Sequence, residues 1–198
     1  VMDNLNQMSD DILVGLYSNG NSRAFDILLD RYKDKLFAYI RFIIRNRELA
    51  EDIFQETFVK AIVTLQKGAY SCSGKFGAWL TRIAHNLMID YFRQERNENS
   101  ISNDETDYDL FNDRRFSDLT IEEEMVNEQT LLDVRRLVNE LPDNQREVVF
   151  MRYYQDLSFK EIADITGVSI NTALGRMRYA LINIRKMAEE KDIKLVLV

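Results

Sequence analysis

Residues 157–185 read LSFKEIADITGVSINTALGRMRYALINIR, and this stretch decides the fold. Ser158 with Glu161 three residues later is a capping box, in which each side chain satisfies an orphan amide at a helix start. Ala163 is small where two helices would cross closely. Gly167 stands where a helix end needs a left-handed residue, and Val168 is expected to plug the core. Ser169 then caps a second helix beginning at Ile170. Capped helix, glycine turn and capped helix make a helix-turn-helix, whose second helix typically enters the major groove of DNA.

On that second helix Ile170, Ala173, Met177, Leu181 and Ile184 are expected on the buried side. Asn171, Thr172, Gly175, Arg176, Arg178 and Tyr179 point elsewhere. Amide and guanidinium groups pair bidentately with base edges, and cations hold phosphates, so this exposed set suits DNA. Gly175 costs about 1 kcal/mol relative to Ala inside a helix, a cost that close approach to a DNA backbone would explain. The competing reading is an ordinary helical hairpin with a solvated polar face.

Outward from this motif, the 198-residue chain has only 7 Gly and 1 Pro, which leaves little turn chemistry for a strand-built sandwich or barrel. A single Cys72 cannot form an internal disulfide, and Cys72 with the single His85 cannot build a four-ligand zinc site. No apolar run is long enough to span a membrane, and the start VMDNLNQMSDD lacks the order of a signal peptide. A cytoplasmic protein without metal or other cofactor is expected. No Gly-rich phosphate loop, metal-ligand cluster or His-centred triad points to an enzyme.

The formal charge of −7 argues against nucleic acid until it is divided along the chain. Residues 1–97 carry 13 basic and 12 acidic side chains, and residues 129–198 carry 11 and 10. Residues 98–128 hold 2 basic and 11 acidic. The excess acid therefore sits in one short stretch, and each flanking segment is free to hold a local basic face.

Helical periodicity dominates elsewhere. A short helix is expected after Ser9 or Asp10. A second, capped by Asn21 or Ser22, carries Phe25, Leu28, Leu29, Tyr32, Leu36, Ile40 and Ile43. A third carries Leu49, Ile53, Thr57, Phe58, Ala61, Ile62 and Leu65 and stops near Gly68. After the small-residue loop at Ser71–Gly74 a fourth carries Phe76, Trp79, Leu80, Ile83, Leu87 and Tyr91. The expected architecture is all-α: a helical domain over residues 1–97, an acidic linker over 98–119, and a second helical domain over 120–198. In the second domain Thr120 and Glu123 form a candidate capping box. That helix passes through Met125, Leu132, Val134 and Leu137 to Leu141, and Pro142 marks a break and a new start.

Two blocks now resemble a known family. LPDNQREVVFMRYYQDLSFKEIADITGVSINTALGRMRYALINIRK over residues 141–186 looks like region four of bacterial RNA polymerase sigma factors. FDILLDRYKDKLFAYIRF, AEDIFQETFVKAI and FGAWLTRIAHNLMIDYFRQER, within residues 25–96, resemble region two. The size and two-block layout are those of the extracytoplasmic-function subgroup. The resemblance implies that core RNA polymerase is bound through Asp52, Gln55 and Glu56, with Phe58 and Ile62 in support. It assigns capture of the melted minus-ten element to Lys60, Tyr70 and Asn86. Reading of the minus-thirty-five duplex falls to Asn171, Thr172, Gly175, Arg176 and Arg178, with Ser169 capping the helix near phosphates. Where many relatives carry a cation and a serine, this chain has Leu174 and Gly175, so the promoter sequence does not follow by analogy.

By charge alone, Lys75, Arg82 and Arg93 are further candidates for phosphate contact. Phe76 and Trp79 are expected in the core, His85 at the surface, and Cys72 as a bland loop residue. The acidic linker either mimics RNA on a basic polymerase surface or is a solvated tether. An anti-sigma protein is the further partner that the family implies. The competing function is a helix-turn-helix repressor or activator working without polymerase contacts, which would have no reason to carry both the AEDIFQETF face and a melting helix.

Overall fold

A computed structural model describes residues 5–44, 46–71, 74–99 and 127–193. The expected linker beyond Asn99, the capping box at Thr120 and Glu123, Met125 and Cys72 lie outside the described residues. Among the described residues the regular structure is helical, and the chain divides into two compact units, residues 1–101 and 102–198.

The first unit contains a short 3-10 turn at Leu5–Gln7 and helices α1 (Asp10–Ser18), α2 (Ser22–Ile43), α3 (Arg47–Gln66) and α4 (Phe76–Asn99). Apolar residues at three- and four-residue spacing give each helix one face to bury. Leu28, Leu36 and Ile40 of α2 meet Ile53, Ala61 and Leu65 of α3 and Phe76, Leu80 and Leu87 of α4 in one core. Phe25, Phe54 and Phe58 pack edge to face, with centroids 6.3 Å and 5.0 Å apart across the two ring pairs. Asn21 is the cap of α2, and Asn46 caps α3 by accepting from the Leu49 amide.

His85 departs from expectation. It is only 5% exposed, and its Nδ1 lies 3.3 Å from the Tyr39 hydroxyl of α2. The reason is its phase on α4. His85 lies four residues after buried Thr81 and three before buried Met88, so it turns inward, and Tyr39 supplies the polar partner that burial demands.

The start of α1 is tied to α2. Arg31 Nη1 donates to Asp10 Oδ1 at 2.7 Å, and Nη2 donates to the carbonyls of Asn6 and Met8, each at 2.7 Å. The Tyr32 hydroxyl donates to the other Asp10 oxygen. Burial, then the hydrogen bond and negative charge of Asp10, hold the Tyr32 phenol far above the ordinary tyrosine range. Above about pH 10 the unfolded phenol loses its proton while the folded one keeps it, so this group makes stability fall as pH rises. Tyr32→Phe is expected to flatten the alkaline loss of stability, measured as the urea midpoint between about pH 9 and 11.

The second unit contains α5 (Asn127–Asn139), α6 (Asp143–Tyr153), α7 (Phe159–Thr166) and α8 (Ile170–Glu190). Pro142 is the residue that opens α6, where its missing amide costs nothing. Leu137, Leu141, Val148, Met151, Ile162 and Ala173 form the core. Asn183 Nδ2 donates to Gln145 Oε1 at 2.8 Å, tying α8 to α6.

Candidate nucleic-acid and protein interfaces

The helix-turn-helix is built by its caps. Ser158 Oγ accepts from the Glu161 amide at 3.3 Å, while Glu161 Oε2 accepts from the Ser158 amide at 2.8 Å. Gly167 closes α7 at φ +69°, ψ +24°, a conformation that a β-carbon makes costly, and its amide donates to the Ala163 carbonyl. Val168 donates to the same carbonyl at 3.1 Å and is half-buried rather than a full core plug. Ser169 Oγ accepts from the Thr172 amide at 3.0 Å and lies 2.8 Å from the Thr172 hydroxyl. Arg152 steadies the approach to α7, donating to the Leu157 carbonyl at 3.0 Å with its guanidinium over the Phe159 ring.

The buried face of α8 is Ala173, Met177, Ala180, Ile184 and Ala188. Ile170 and Leu181, expected inside, are 45% and 42% exposed. Leu181 follows Ala180 and is therefore about 100° round the helix from the true face. Small alanines let α8 pack closely, and the bulkier neighbours were mistaken for the stripe. Asn171, Thr172, Arg178 and Tyr179 are exposed, whereas Gly175 and Arg176 are half-buried. Nothing lies within 4 Å of the place a Gly175 β-carbon would occupy, so space outward of that turn is open. Arg176 and Arg178, two residues apart, stand about 160° apart around the axis. Arg178 stands on the exposed face in line with Asn171, whereas half-buried Arg176 stands at its edge.

On α3, Asp52, Gln55 and Glu56 are exposed on one face, as helical spacing requires. Phe58 is only 7% exposed and Ile62 half-buried, so Phe58 holds the helix from behind. Sequence reasoning missed the continuation of this face. Val59 and Val63 are 57% and 41% exposed and one turn apart, C-terminal to Asp52, Gln55 and Glu56 on the same side of the helix. The signal was available: Val59 lies four residues after Gln55 and Val63 four after Val59. Lys60 Nζ lies 3.3 Å from Glu56 Oε1, so this residue sits with the α3 group.

On α4, Arg82, Asn86 and Arg93 are exposed at spacings of four and seven, which puts them on one face. Arg93 pairs at 3.7 Å with Asp90. Tyr70 is half-buried against this helix, with its ring 4.6 Å from Trp79 and 5.8 Å from Phe76. Phe76 is fully buried, and Trp79 is half-buried at the core's edge. The fold thus brings Tyr70 to the same helix as Asn86, and Lys75 lies exposed at its entrance. An aromatic platform beside cations and an amide is the composition that holds an unpaired strand.

Residues 28–98 match the family described as Sigma-70 region 2, and residues 131–178 match Sigma-70, region 4. The two helical units are those of a sigma-type transcription initiation protein. The chain is 30% identical over 190 residues to the ECF RNA polymerase sigma-E factor of Haemophilus influenzae, spanning 93% of this chain and 96% of that one. It is 27% identical over 174 residues to the ECF RNA polymerase sigma factor SigW of Bacillus subtilis, covering 86% and 92%. The solved structure of CnrH in complex with the cytosolic domain of CnrY resembles it with TM-score 0.62 and 25% identity, over 92% of this chain and 99% of that one. The chain belongs to the extracytoplasmic-function (ECF) RNA polymerase sigma factors.

Proposed function

We propose that this sigma factor divides its work among three helices. The α3 face of Asp52, Gln55, Glu56, Val59 and Val63 docks on core RNA polymerase. Tyr70 and the α4 face around Asn86 hold the melted minus-ten strand, with Arg82, Lys75 and Arg93 as phosphate contacts. Asn171, Thr172, Gly175, Arg176 and Arg178 on α8 meet the minus-thirty-five duplex, and Ser169 caps that helix toward a phosphate.

The observation that carries this reading is the α3 face: two exposed valines that continue, along the same side of the helix, the strip of Asp52, Gln55 and Glu56. Exposed apolar side chains bordered by polar ones have the composition of a protein interface. A regulator acting on DNA alone would not need it. Lys60 joins this face through Glu56 as readily as it serves the minus-ten strand. The chain works without catalytic chemistry of its own and in the cytoplasm, where polymerase and promoter meet. No described helix is long and apolar enough to cross a membrane. The likeness to CnrH, solved with the cytosolic domain of CnrY, supports a further protein partner, and the family resemblance makes an anti-sigma protein the expected kind.

Replacing Gln55 and Glu56 together by Ala tests the docking face. Co-purification with core polymerase is expected to weaken while the thermal midpoint stays put, since both side chains are exposed. Unchanged co-purification would remove the face from the interface.

A further inference from the structure

The first turn of α1 makes two sets of contacts, one through each aspartate, that no part of the functional reading uses. Asp11 Oδ2 accepts from the Gly74 amide at 2.9 Å, across 63 residues of sequence. Its other oxygen is buried with no hydrogen-bond partner among the described residues. A carboxylate held there with a single partner is a poor choice for stability alone. Asp10, the adjacent residue, accepts from Arg31 and from the Tyr32 hydroxyl.

Both contacts converge on one place. Gly74 is the last turn residue before α4, two positions ahead of Phe76. The Tyr32 ring packs on Phe76 with centroids 5.4 Å apart, and Phe76 in turn carries Tyr70. Tyr32 also lies where a β-carbon on Gly77 would come within 2.6 Å of its ring, so the ring and the first turn of α4 are in close contact. Asp11 thus fixes the backbone entering α4, and Asp10 fixes the ring beneath the aromatic stack.

We propose that Asp10 and Asp11 are positioning residues for promoter opening, a staple that holds the entrance of α4 and the Tyr70–Trp79 platform in the geometry that receives an unstacked base. The proposal rests on the reading of Tyr70 and Asn86 given above. Neither aspartate touches DNA in this scheme. Preorganising the platform removes the cost of ordering it when the strand arrives.

The test uses holoenzyme reconstituted with full-length variants and reads three quantities: co-purification with core polymerase, retention of duplex promoter, and permanganate reactivity of the opened bubble. Asp11→Ala is expected to reduce opening about tenfold, the weight of one hydrogen bond to a charged acceptor, with the first two readouts unchanged. Asp11→Asn, which keeps an acceptor for the Gly74 amide, is expected to restore opening. Asp11→Glu keeps the charge at the helix start but displaces the acceptor, and is expected to fall with the Ala variant even if that variant folds poorly. Opening at the wild-type level by both Asp11→Ala and Asp11→Glu would overturn the staple. So would equal loss in the Asn and Ala variants. Tyr70→Ala runs alongside. Normal opening by that variant overturns the platform and the staple together, whereas loss there beside normal Asp11 variants overturns the staple alone.

Discussion

Val59→Asp is expected to weaken assembly with core polymerase roughly a hundredfold while the protein remains folded. Val59 is the most exposed large apolar side chain on α3 and follows Gln55 and Glu56 by one turn on the same side of the helix. In the free protein a carboxylate there meets water and costs little, since exposed substitutions generally change stability by less than about 0.5 kcal/mol. In the docked complex the same carboxylate loses its water without gaining a partner, beside a rim that is already acidic. An unpaired charge desolvated at an interface costs about 3 kcal/mol, which is roughly a hundredfold in affinity. The check is titration of core polymerase with labelled protein, alongside a thermal melt. Val63→Asp should behave alike, being one turn further along the same strip.

The second large effect concerns α8. Asn171 lies in its first turn, where a recognition helix contacts base edges, and its amide suits a bidentate pairing. Arg178 lies two turns further on, in line with Asn171 but farther from the end of the helix that meets the bases, in the place of a phosphate contact. Asn171→Ala is expected to cost about 1–3 kcal/mol on the cognate duplex and almost nothing on scrambled DNA. Arg178→Ala is expected to weaken both duplexes alike and to lower the salt slope by about one. Salt titrations of holoenzyme on the two duplexes separate these outcomes. Sequence-specific loss from Arg178→Ala would make it a base reader and reverse the assignment.

Much of this fold could be read from the chain because its start and stop signals are local. Ser158 with Glu161, Gly167 and Ser169 each act within a few residues, and all adopt the caps and turn that their chemistry favours. The four helices of the first unit were legible from apolar spacing for the same reason. What failed depends on partners distant in sequence. His85 is buried because Tyr39, on another helix, satisfies it. Ile170 and Leu181 lost their places on the buried face to alanines, whose small size matters only once α6 and α7 are packed against α8. The hold of Asp11 on Gly74 joins residues 63 apart, and no local pattern announces it. Val59 and Val63 were missed for a different reason. Single exposed apolar residues are ordinary on any surface, and only their pairing beside a polar strip sets them apart.

Even the net charge changes meaning once divided. The acid excess lies in residues 98–128, so residues 1–97 and 129–198, which hold the candidate binding faces, are each nearly neutral.

Run-off transcription with purified core polymerase and genomic DNA tests the central claim most directly. Discrete transcripts that appear only when this protein is added, and that fall sharply with Val59→Asp at limiting protein, are the predicted result. Sequence-specific duplex binding by the free protein, with no association with core and no new transcripts, would contradict it.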